Sequence, residues 1–144
     1  MGGRGGNPHP LQFRKFANRL KPVPKTKVVL YREQDGSCPF LEWFGGLPPK
    51  AQDKCYVRLE RLREMGHELR RPEGDLLRDG IYELRVGLQG VQFRILYFFH
   101  RTIAAVVSHG LVKERVIPSR DIDRAAARKK RFEADPSGHT FEEV

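Results

Sequence analysis

The stretch Asp79–Arg115 constrains the fold of this chain more than any other part of the sequence. It contains two runs in which apolar and polar residues alternate, joined by Gln89-Gly90, and a third apolar run after His100-Arg101. Alternation with a period of two is typical of β-strands that bury one face. The sequence therefore predicts an antiparallel meander of three strands, with an apolar face for a core and an opposite face that bears charge.

Two arginines face each other on the charged side of this meander. If Gln89-Gly90 supplies the central residues of the turn, Arg85 on the first strand lies directly across from Arg94 on the second. Like charges at facing positions destabilise a sheet, so the pair makes physical sense if an anion normally lies over it. The alternative is a solvated outer face on which the two side chains splay apart into water.

A second two-residue turn, at His100-Arg101, extends the charged face to the third strand. This register places Val107 beside Arg94 and His109 beside Gln92, although His-Arg is not a favoured hairpin pair. His109 would then lie close to the arginines, and the ordinary pKa of histidine is near neutrality. The alternative for a lone histidine at a strand end is a structural role.

The segments that flank the meander predict one more strand and three helices. Lys27–Glu33 is a predicted strand, and Asp35–Ser37 is the turn that ends it, with Ser37 as a candidate N-cap for a short helix. This helix and the next one are predicted to form a hairpin over the apolar sheet face. The remaining predicted features are a longer helix after Pro49 that stops at Gly66, a polar connection over His67–Arg78, and a final helix capped by Ser119.

Composition favours one domain with a basic and an acidic end. The 144 residues have a net charge of +9; residues 1–27 contain seven Lys or Arg and no acidic residue, whereas the remainder holds 20 basic and 18 acidic residues. We expect a basic flexible leader over residues 1–26, a domain over 27–134 and a flexible acidic tail over 135–144. The leader predicts an affinity for nucleic acid or another polyanion, without sequence selectivity.

The leader also contains a short amphipathic segment, residues 11–20, whose apolar side chains share one helical face. This pattern is compatible with an RNA-anchoring arm or a partner-docking segment. The alternatives are an arm that packs on its own domain and a leader that begins at an upstream start codon.

Composition argues against membrane, disulfide-rich and zinc-binding proteins. No run approaches the ~20 apolar residues of a membrane helix, and no secretory signal is evident, so we expect a cytoplasmic protein without a membrane partner. Cys38 and Cys55 lack the spacing of a zinc site or a disulfide framework, so no metal or other cofactor is expected.

Five segments resemble, in order and spacing, the RelE/HigB superfamily of bacterial toxins, and within it the phage-derived Gp49-like, HigB-like branch. They are CPFLEWFGGLPPKAQDKC at the predicted helical hairpin, LLRDGIYELRV and GVQFRILYFF in the sheet, VSHGLVKERVIPSRDIDRA after it, and the terminal helix. The resemblance runs from about Lys27 to Asp135. Each segment alone is common, but their order and spacing together are specific.

The resemblance implies an α+β, RelE-like fold, in which a twisted antiparallel sheet of about four strands has the N-terminal helical hairpin and the C-terminal helix packed on one face. It also implies an mRNA interferase, the toxin of a type II toxin–antitoxin system, which frequently acts on the ribosome. A cognate helix-turn-helix antitoxin would neutralise it in a hetero-oligomer. Such enzymes are metal-independent endoribonucleases: the ribose 2′-OH attacks the adjacent phosphate and leaves a cyclic phosphate and a free 5′-OH. DNA lacks this hydroxyl, so RNA is the expected substrate.

The family's pattern also implies roles for residues of this sequence. Arg94, Arg85 and Lys113 match the catalytic cations, of which the arginines can clamp a phosphate but stay protonated. Proton transfer then falls to His109, Glu83 or Lys113, and the predicted register favours His109. The predicted RNA-binding residues are Arg78, Glu83, Gln92 and Arg115.

Two departures from the family's pattern leave a second function open. Many relatives have two lysines where this chain has Lys113-Glu114, and several active relatives use a tyrosine where it has Phe132. The alternative is a catalytically inactive RelE-fold protein that binds an antitoxin or a nucleic acid, in the latter case through its basic leader.

Overall fold

The computed structural model describes residues 26–102 and 104–144, so the predicted leader, apart from Thr26, lies outside the described residues. Within them, a mixed six-stranded sheet with the order β2-β3-β4-β5-β1-β6 forms the centre of an α+β fold. The strands are β1 (Lys27–Tyr31), β2 (Gly74–Arg78), β3 (Ile81–Leu88), β4 (Val91–His100), β5 (Ala104–Lys113) and β6 (Thr140–Glu143), and the helices are α1 (Pro39–Phe44), α2 (Pro49–Met65) and α3 (Ser119–Ala134).

The first hairpin of the predicted meander, β3–β4, is confirmed residue by residue. Gln89 and Gly90 have φ angles of 52° and 83°, and positive φ at both central residues is what a type I′ turn requires. Arg85 pairs with Arg94 as predicted. The turn residues and the alternation of apolar residues together determine this register.

The second predicted turn is wrong, and the register between β4 and β5 differs from the expected one. The connection has three residues rather than two, and a bulge in β5 shifts the register once more. His109 consequently does not lie beside Gln92, nor Val107 beside Arg94. The observed partners are Lys113 for Gln92, Leu111 for Arg94 and Leu96 for His109.

The sheet is larger than predicted and is not purely antiparallel. β1 runs parallel to β5, and β6 pairs antiparallel with β1, so residues 135–144 are not a flexible tail. The polar connection predicted over His67–Arg78 contains β2, which pairs with β3 across an Asp79-Gly80 turn. Both unpredicted strands are short and lie at the sheet edges, so they lack the long alternating pattern that marks the inner strands.

Helices cover both faces of the sheet, whereas the sequence predicted them on one face. The helical hairpin of α1 and α2 packs on the face that contains Val86 and Phe93, as predicted. α3 packs on the opposite face, against Leu96 and Phe98. The reason lies in β4, which is apolar at every position of Ile95–Phe99 and therefore buries both of its faces there. The hydrophobic core on this face includes Ile122, Ala125 and Phe132 of α3.

Prolines and a glycine mark the helix ends, while the predicted serine caps are wrong. Pro39 and Pro49 are the first residues of α1 and α2, and Gly66 ends α2 with a φ of 53°. The hydroxyls of Ser37 and Ser119 bond to side chains outside the helices instead. Among the helices of the described residues, none combines the length and the apolarity needed to cross a membrane.

Candidate functional site

A cleft of about 390 Å³ opens on the α3 side of the sheet, beside the first turn of that helix. Its walls come from β2, β3, the end of β5 and the loop that leads into α3. Cations outnumber carboxylates in the lining, and aliphatic side chains lie among them, so the cleft suits an anionic ligand that also has an apolar part. The lining residues are Arg71, Arg78, Arg85, Lys113 and Arg115, the acidic Asp75 and Glu83, and the aliphatic Leu76, Leu77, Val116, Ile117 and Ile122.

Glu83 lies between the two facing arginines. Its Oε1 is 3.1 Å from Nε of Arg94, and its Oε2 accepts a hydrogen bond of 3.0 Å from Nε of Arg85. A carboxylate of their own chain therefore bridges the two cations, which neither splay into water nor require an external anion. The sequence argument from like charges is wrong at this point, because it did not place Glu83 between the arginines.

Arg94 is buried beside this bridge and does not line the cleft. Its side chain is 4% exposed, and its Nη1 donates to the carbonyl of Phe93 at 2.9 Å. The contact between Arg94 and Glu83 is ionic rather than a well-aligned hydrogen bond, because the Nε–H does not point at Oε1. Burial lowers the pKa of Arg94 and the Glu83 carboxylate opposes this shift, and the guanidinium stays charged at neutral pH.

Arg85 does line the cleft, with its backbone and its Nε held in place. Its amide donates to the carbonyl of Glu73 and its carbonyl accepts from Nε of Arg58, both at 2.9 Å. Nη1 and Nη2 make no hydrogen bond with any described residue, and Asp75 lies 4.0 Å from Nη2. Arg85 therefore has two nitrogens that can donate to a ligand.

Two more cations of the cleft, Lys113 and Arg115, form no ion pair with any residue that the structure describes. Lys113 is the last residue of β5 and is partly buried, whereas Arg115 is exposed in the loop that follows. Arg71, by contrast, is paired with Asp75 at 2.7 Å. The positive potential of the cleft thus comes mainly from Arg85, Lys113 and Arg115.

Arg78, a predicted RNA-binding residue, lines the cleft but also fastens β2 to α3. Its Nη2 donates to Oγ of Ser119 and to Oδ1 of Asp123, both at 2.8 Å, and its Nη1 donates to Asp79 at 2.6 Å. Two carboxylates offset its charge. Arg78 therefore shapes the cleft by holding the first turn of α3 against β2 more than it adds positive potential.

His109 lies outside the cleft, in a buried network between β5 and α3. Its Nδ1 is 3.1 Å from Nη1 of Arg128 and 2.8 Å from Oγ of Ser108, and its Nε2 is 3.1 Å from Oδ1 of Asp121. Because arginine only donates, Nδ1 accepts and the ring proton is on Nε2, which donates to Asp121. Burial lowers the pKa of His109, and its hydrogen bond with Asp121 only partly opposes this shift.

Three other positions singled out in the sequence do not line the cleft. Gln92 is exposed, with its Oε1 at 3.4 Å from Nη1 of Arg94. Glu114 is also exposed. Phe132 is buried against Phe98, four residues along β4 from Arg94, so the departure from tyrosine there alters the core and not the cleft wall.

Sequence reasoning missed the part of the cleft that β2 and the loop before α3 contribute. Asp75 and Leu76-Leu77 lie on an edge strand that was predicted to be a loop. A signal for this strand was present, because Asp79-Gly80 is a favoured hairpin turn that directly follows it. Ile117 and Ile122 enter the cleft only because α3 packs on the charged side of the sheet, which sequence periodicity does not reveal.

Cys38 and Cys55 are buried and unbridged, and burial raises the pKa of the Cys55 thiol to about 11. A thiol with a raised pKa is a poor metal ligand and nucleophile. Over residues 26–102 and 104–144, no group of histidine, cysteine and acidic side chains is arranged to hold a metal ion.

Comparison with known proteins finds a family for most of the chain. The family model of the phage-derived protein Gp49-like family (DUF891) matches residues 42–130, a range that includes every residue of the cleft. No curated protein matches the chain.

Proposed function

Since the chain belongs to the phage-derived Gp49-like (DUF891) family, which is the RelE/HigB-like toxin family, we propose that it is the toxin of a type II toxin–antitoxin pair and cleaves RNA. The family match supports the toxin assignment, and the basic cleft supports RNA as the target. The proposed partners are mRNA, bound on the ribosome in the cytoplasm, and a small helix-turn-helix antitoxin that forms a hetero-oligomer with the toxin.

The single observation that best supports RNA cleavage is the presence of Arg85 and Lys113 in one cleft. They lie on β3 and β5, the two strands that flank β4, and both have donor groups that make no hydrogen bond to a described residue. A guanidinium and an ammonium on rigid strands are suited to the two charged oxygens of a phosphodiester. Charge that develops on the phosphate during cleavage would meet cations that are already in place.

In the proposed reaction, the ribose 2′-oxygen forms a bond to phosphorus, and the bond from phosphorus to the 5′-oxygen breaks. The 2′-OH must lose a proton and the departing 5′-oxygen must gain one, while Arg85 and Lys113 offset the charge of the phosphorane. Of the three candidates for proton transfer, His109 lies outside the cleft, which leaves Glu83 and Lys113. The protonated Lys113 ammonium is suited to donate to the leaving oxygen.

Expression of matched variants tests this proposal. Wild-type protein should arrest growth and cut transcripts, and Arg85→Ala and Lys113→Ala should each lower the cleavage rate roughly 100-fold. Lys54→Ala is the control, because Lys54 is exposed on α2, on the other side of the sheet, and should cut like the wild type. Intact transcripts and equal growth with all four proteins would refute the proposal.

The second candidate function is that of an inactive relative that only binds an antitoxin or a nucleic acid. The observation in its favour is the Glu83 bridge, which reduces the net charge of the two facing arginines. Purified protein that binds the antitoxin and leaves both naked and ribosome-bound RNA uncut would favour this function over cleavage.

A further inference from the structure

We propose that Arg94 and Glu83 are positioning residues for Arg85, and that Arg94 does not contact the substrate. This inference rests on the proposed function, because it assigns separate roles, substrate contact and positioning, to residues at the same cleft. It also reverses the expectation from the family's pattern, in which Arg94 is itself a catalytic cation.

The three side chains form a series from the interior to the cleft. The side chains of Arg94 and Glu83 are each 4% exposed, whereas that of Arg85 is 29% exposed. The Oε1 atom of Glu83 is buried and faces Arg94, and the Oε2 atom accepts from Nε of Arg85. Only the last member of the series presents donors to the cleft.

The charges of this series explain why the buried arginine is needed. Glu83 alone would pair with Arg85 and cancel its charge, and a carboxylate and a guanidinium prefer to pair through two parallel hydrogen bonds. Such a pair would take an Nη nitrogen of Arg85 away from the ligand. With Arg94 on its other side, the negative charge of Glu83 is offset by the buried guanidinium of Arg94. Glu83 then forms a hydrogen bond to Arg85 only at Nε.

The geometry also shows how Arg85 is held ready. Its backbone is fixed by hydrogen bonds to Glu73 and Arg58, and its side chain is fixed at Nε by Glu83. A side chain that is restrained at its backbone and at Nε loses little further conformational freedom when a phosphate binds to Nη1 and Nη2. Arg85 is therefore preorganised by residues that never touch the phosphate.

The same contacts argue against Glu83 as the base that accepts the 2′ proton. Its Oε1 is buried away from any ligand, and its Oε2 is engaged by Arg85. A proton on either oxygen would disrupt a contact with a guanidinium. The carboxylate is thus suited to hold an arginine and poorly suited to exchange protons with a substrate, so the 2′ proton passes to water in the open cleft while Lys113 protonates the leaving oxygen.

A double-mutant cycle with Glu83→Gln and Arg94→Met tests the proposal through the rate of transcript cleavage at limiting and at saturating RNA. In the native background, Arg94→Met should lower the rate about tenfold or more, because Glu83 then captures Arg85. In the Glu83→Gln background, where no charge needs to be offset, Arg94→Met should change the rate by less than about twofold. Arg94→Lys, which keeps the charge, should retain more activity than Arg94→Met.

An equal loss from Arg94→Met in both backgrounds would overturn the proposal, because it would mean that Arg94 contacts the phosphate directly. The proposal would also be overturned if Glu83→Gln abolished the cleavage rate at saturating RNA and the pH dependence of that rate, because Glu83 would then be the base. If Arg94→Met does not fold, the comparison of Glu83→Gln with Glu83→Gln/Arg94→Met still tests whether Arg94 contacts the phosphate. Neither of these two variants contains a charged and unpaired Glu83.

Arginine side-chain NMR separates the failure of this inference from the failure of the proposed function. The Nε–H of Arg85 should exchange with solvent slowly in the wild type and faster in Glu83→Gln, with the exposed Arg115 as the fast reference. Equal exchange at Arg85 in the two proteins would refute the positioning role whether or not RNA is cut. If the wild type cuts no RNA, the proposed function fails, and the NMR result alone decides the role of Glu83.

Discussion

Burial of His109 beside Arg128 fixes the protonation state of the imidazole. A protonated ring would place two positive charges within 3.1 Å of each other, and Arg128 is itself held by Glu33 at 2.9 Å. The neutral ring satisfies both neighbours, because Nδ1 accepts from Arg128 and Nε2 donates to Asp121. The histidine that the sequence placed among the catalytic residues therefore joins α3 to the sheet.

This arrangement predicts a loss of stability when the pH falls from about 7 to about 5.5. The folded-state pKa of His109 lies below its unfolded value of about 6.5, because burial and Arg128 outweigh Asp121. As the pH falls, the unfolded chain takes up the proton first, so the free energy of unfolding decreases, by about 1 kcal/mol. At higher pH the ring is neutral in both states and adds no pH dependence. Urea unfolding at the two pH values measures the difference.

Two histidine variants provide the controls for this prediction. His109→Gln removes the titrating ring and should flatten this part of the stability profile. His67→Gln, at an exposed residue that stacks on Phe99, should leave most of the slope in place. An unchanged slope in His109→Gln would assign the pH dependence to other groups.

At the scale of elements, the sequence predicts those parts whose signals are local. The β3–β4 hairpin follows from alternation and from the turn residues Gln89-Gly90, and α2 follows from a complete apolar stripe between Pro49 and Gly66. The register of β5 cannot be predicted from the sequence, because the pattern of apolar residues does not reveal the bulge.

In the candidate site, too, the sequence predicts the features that depend on local pattern and misses those that depend on tertiary packing. Local pattern places Arg85 opposite Arg94, because turn and register depend on neighbouring residues alone. The Glu83 bridge and the burial of Arg94 depend on which helix covers each face, and that is a tertiary choice. The family's pattern implies a catalytic role for Arg85, Arg94 and Lys113, but burial separates Arg94 from the cleft.

The packing of α1 on β5 predicts that Gly110→Ala is destabilising. A Cβ added at Gly110 would lie 2.1 Å from Cε3 of Trp43, so the indole and α1 must move. Overpacking of this kind costs about 1–3 kcal/mol of unfolding free energy, which urea unfolding would measure. Gly87→Ala is the control, because its Cβ would meet only the end of the Gln92 side chain, at 3.6 Å. Equal stability of the two variants would contradict the prediction.

At the scale of the whole molecule, the first described residue, Thr26, and the cleft lie at opposite ends of β5. The described chain begins at Thr26, and Lys27 pairs with Ala104 at the start of β5, whereas Lys113 at its other end lines the cleft. β5 has 10 residues, so its ends are about 30 Å apart. An RNA bound in the cleft must be several nucleotides long before it can also approach Thr26, to which the leader is joined.

This separation predicts that deletion of residues 1–24 weakens RNA binding without changing the cleavage step. The deletion removes five basic residues and no acidic residue, so affinity and its salt dependence should both fall, while the rate at saturating RNA stays the same. Replacement of the same basic residues by glutamine is the matched control and should have the same effect. A reduced rate at saturating RNA would instead connect the leader with the cleft.

The other terminal segment completes the sheet, and removing residues 136–144 should therefore destabilise the whole domain. β6 covers the edge of β1 with hydrogen bonds that include Val144 N–H to the carbonyl of Val28, and the His139 ring stacks on the buried Tyr31 at 5.3 Å. Without β6, β1 becomes an exposed apolar edge that can pair with a second chain. The truncated protein should unfold at a lower temperature and elute in part as oligomers, whereas Phe141→Ser, which keeps the backbone pairing, should remain close to the wild type. Identical melting and elution of the truncated and full chains would mean that β1 does not need this cover.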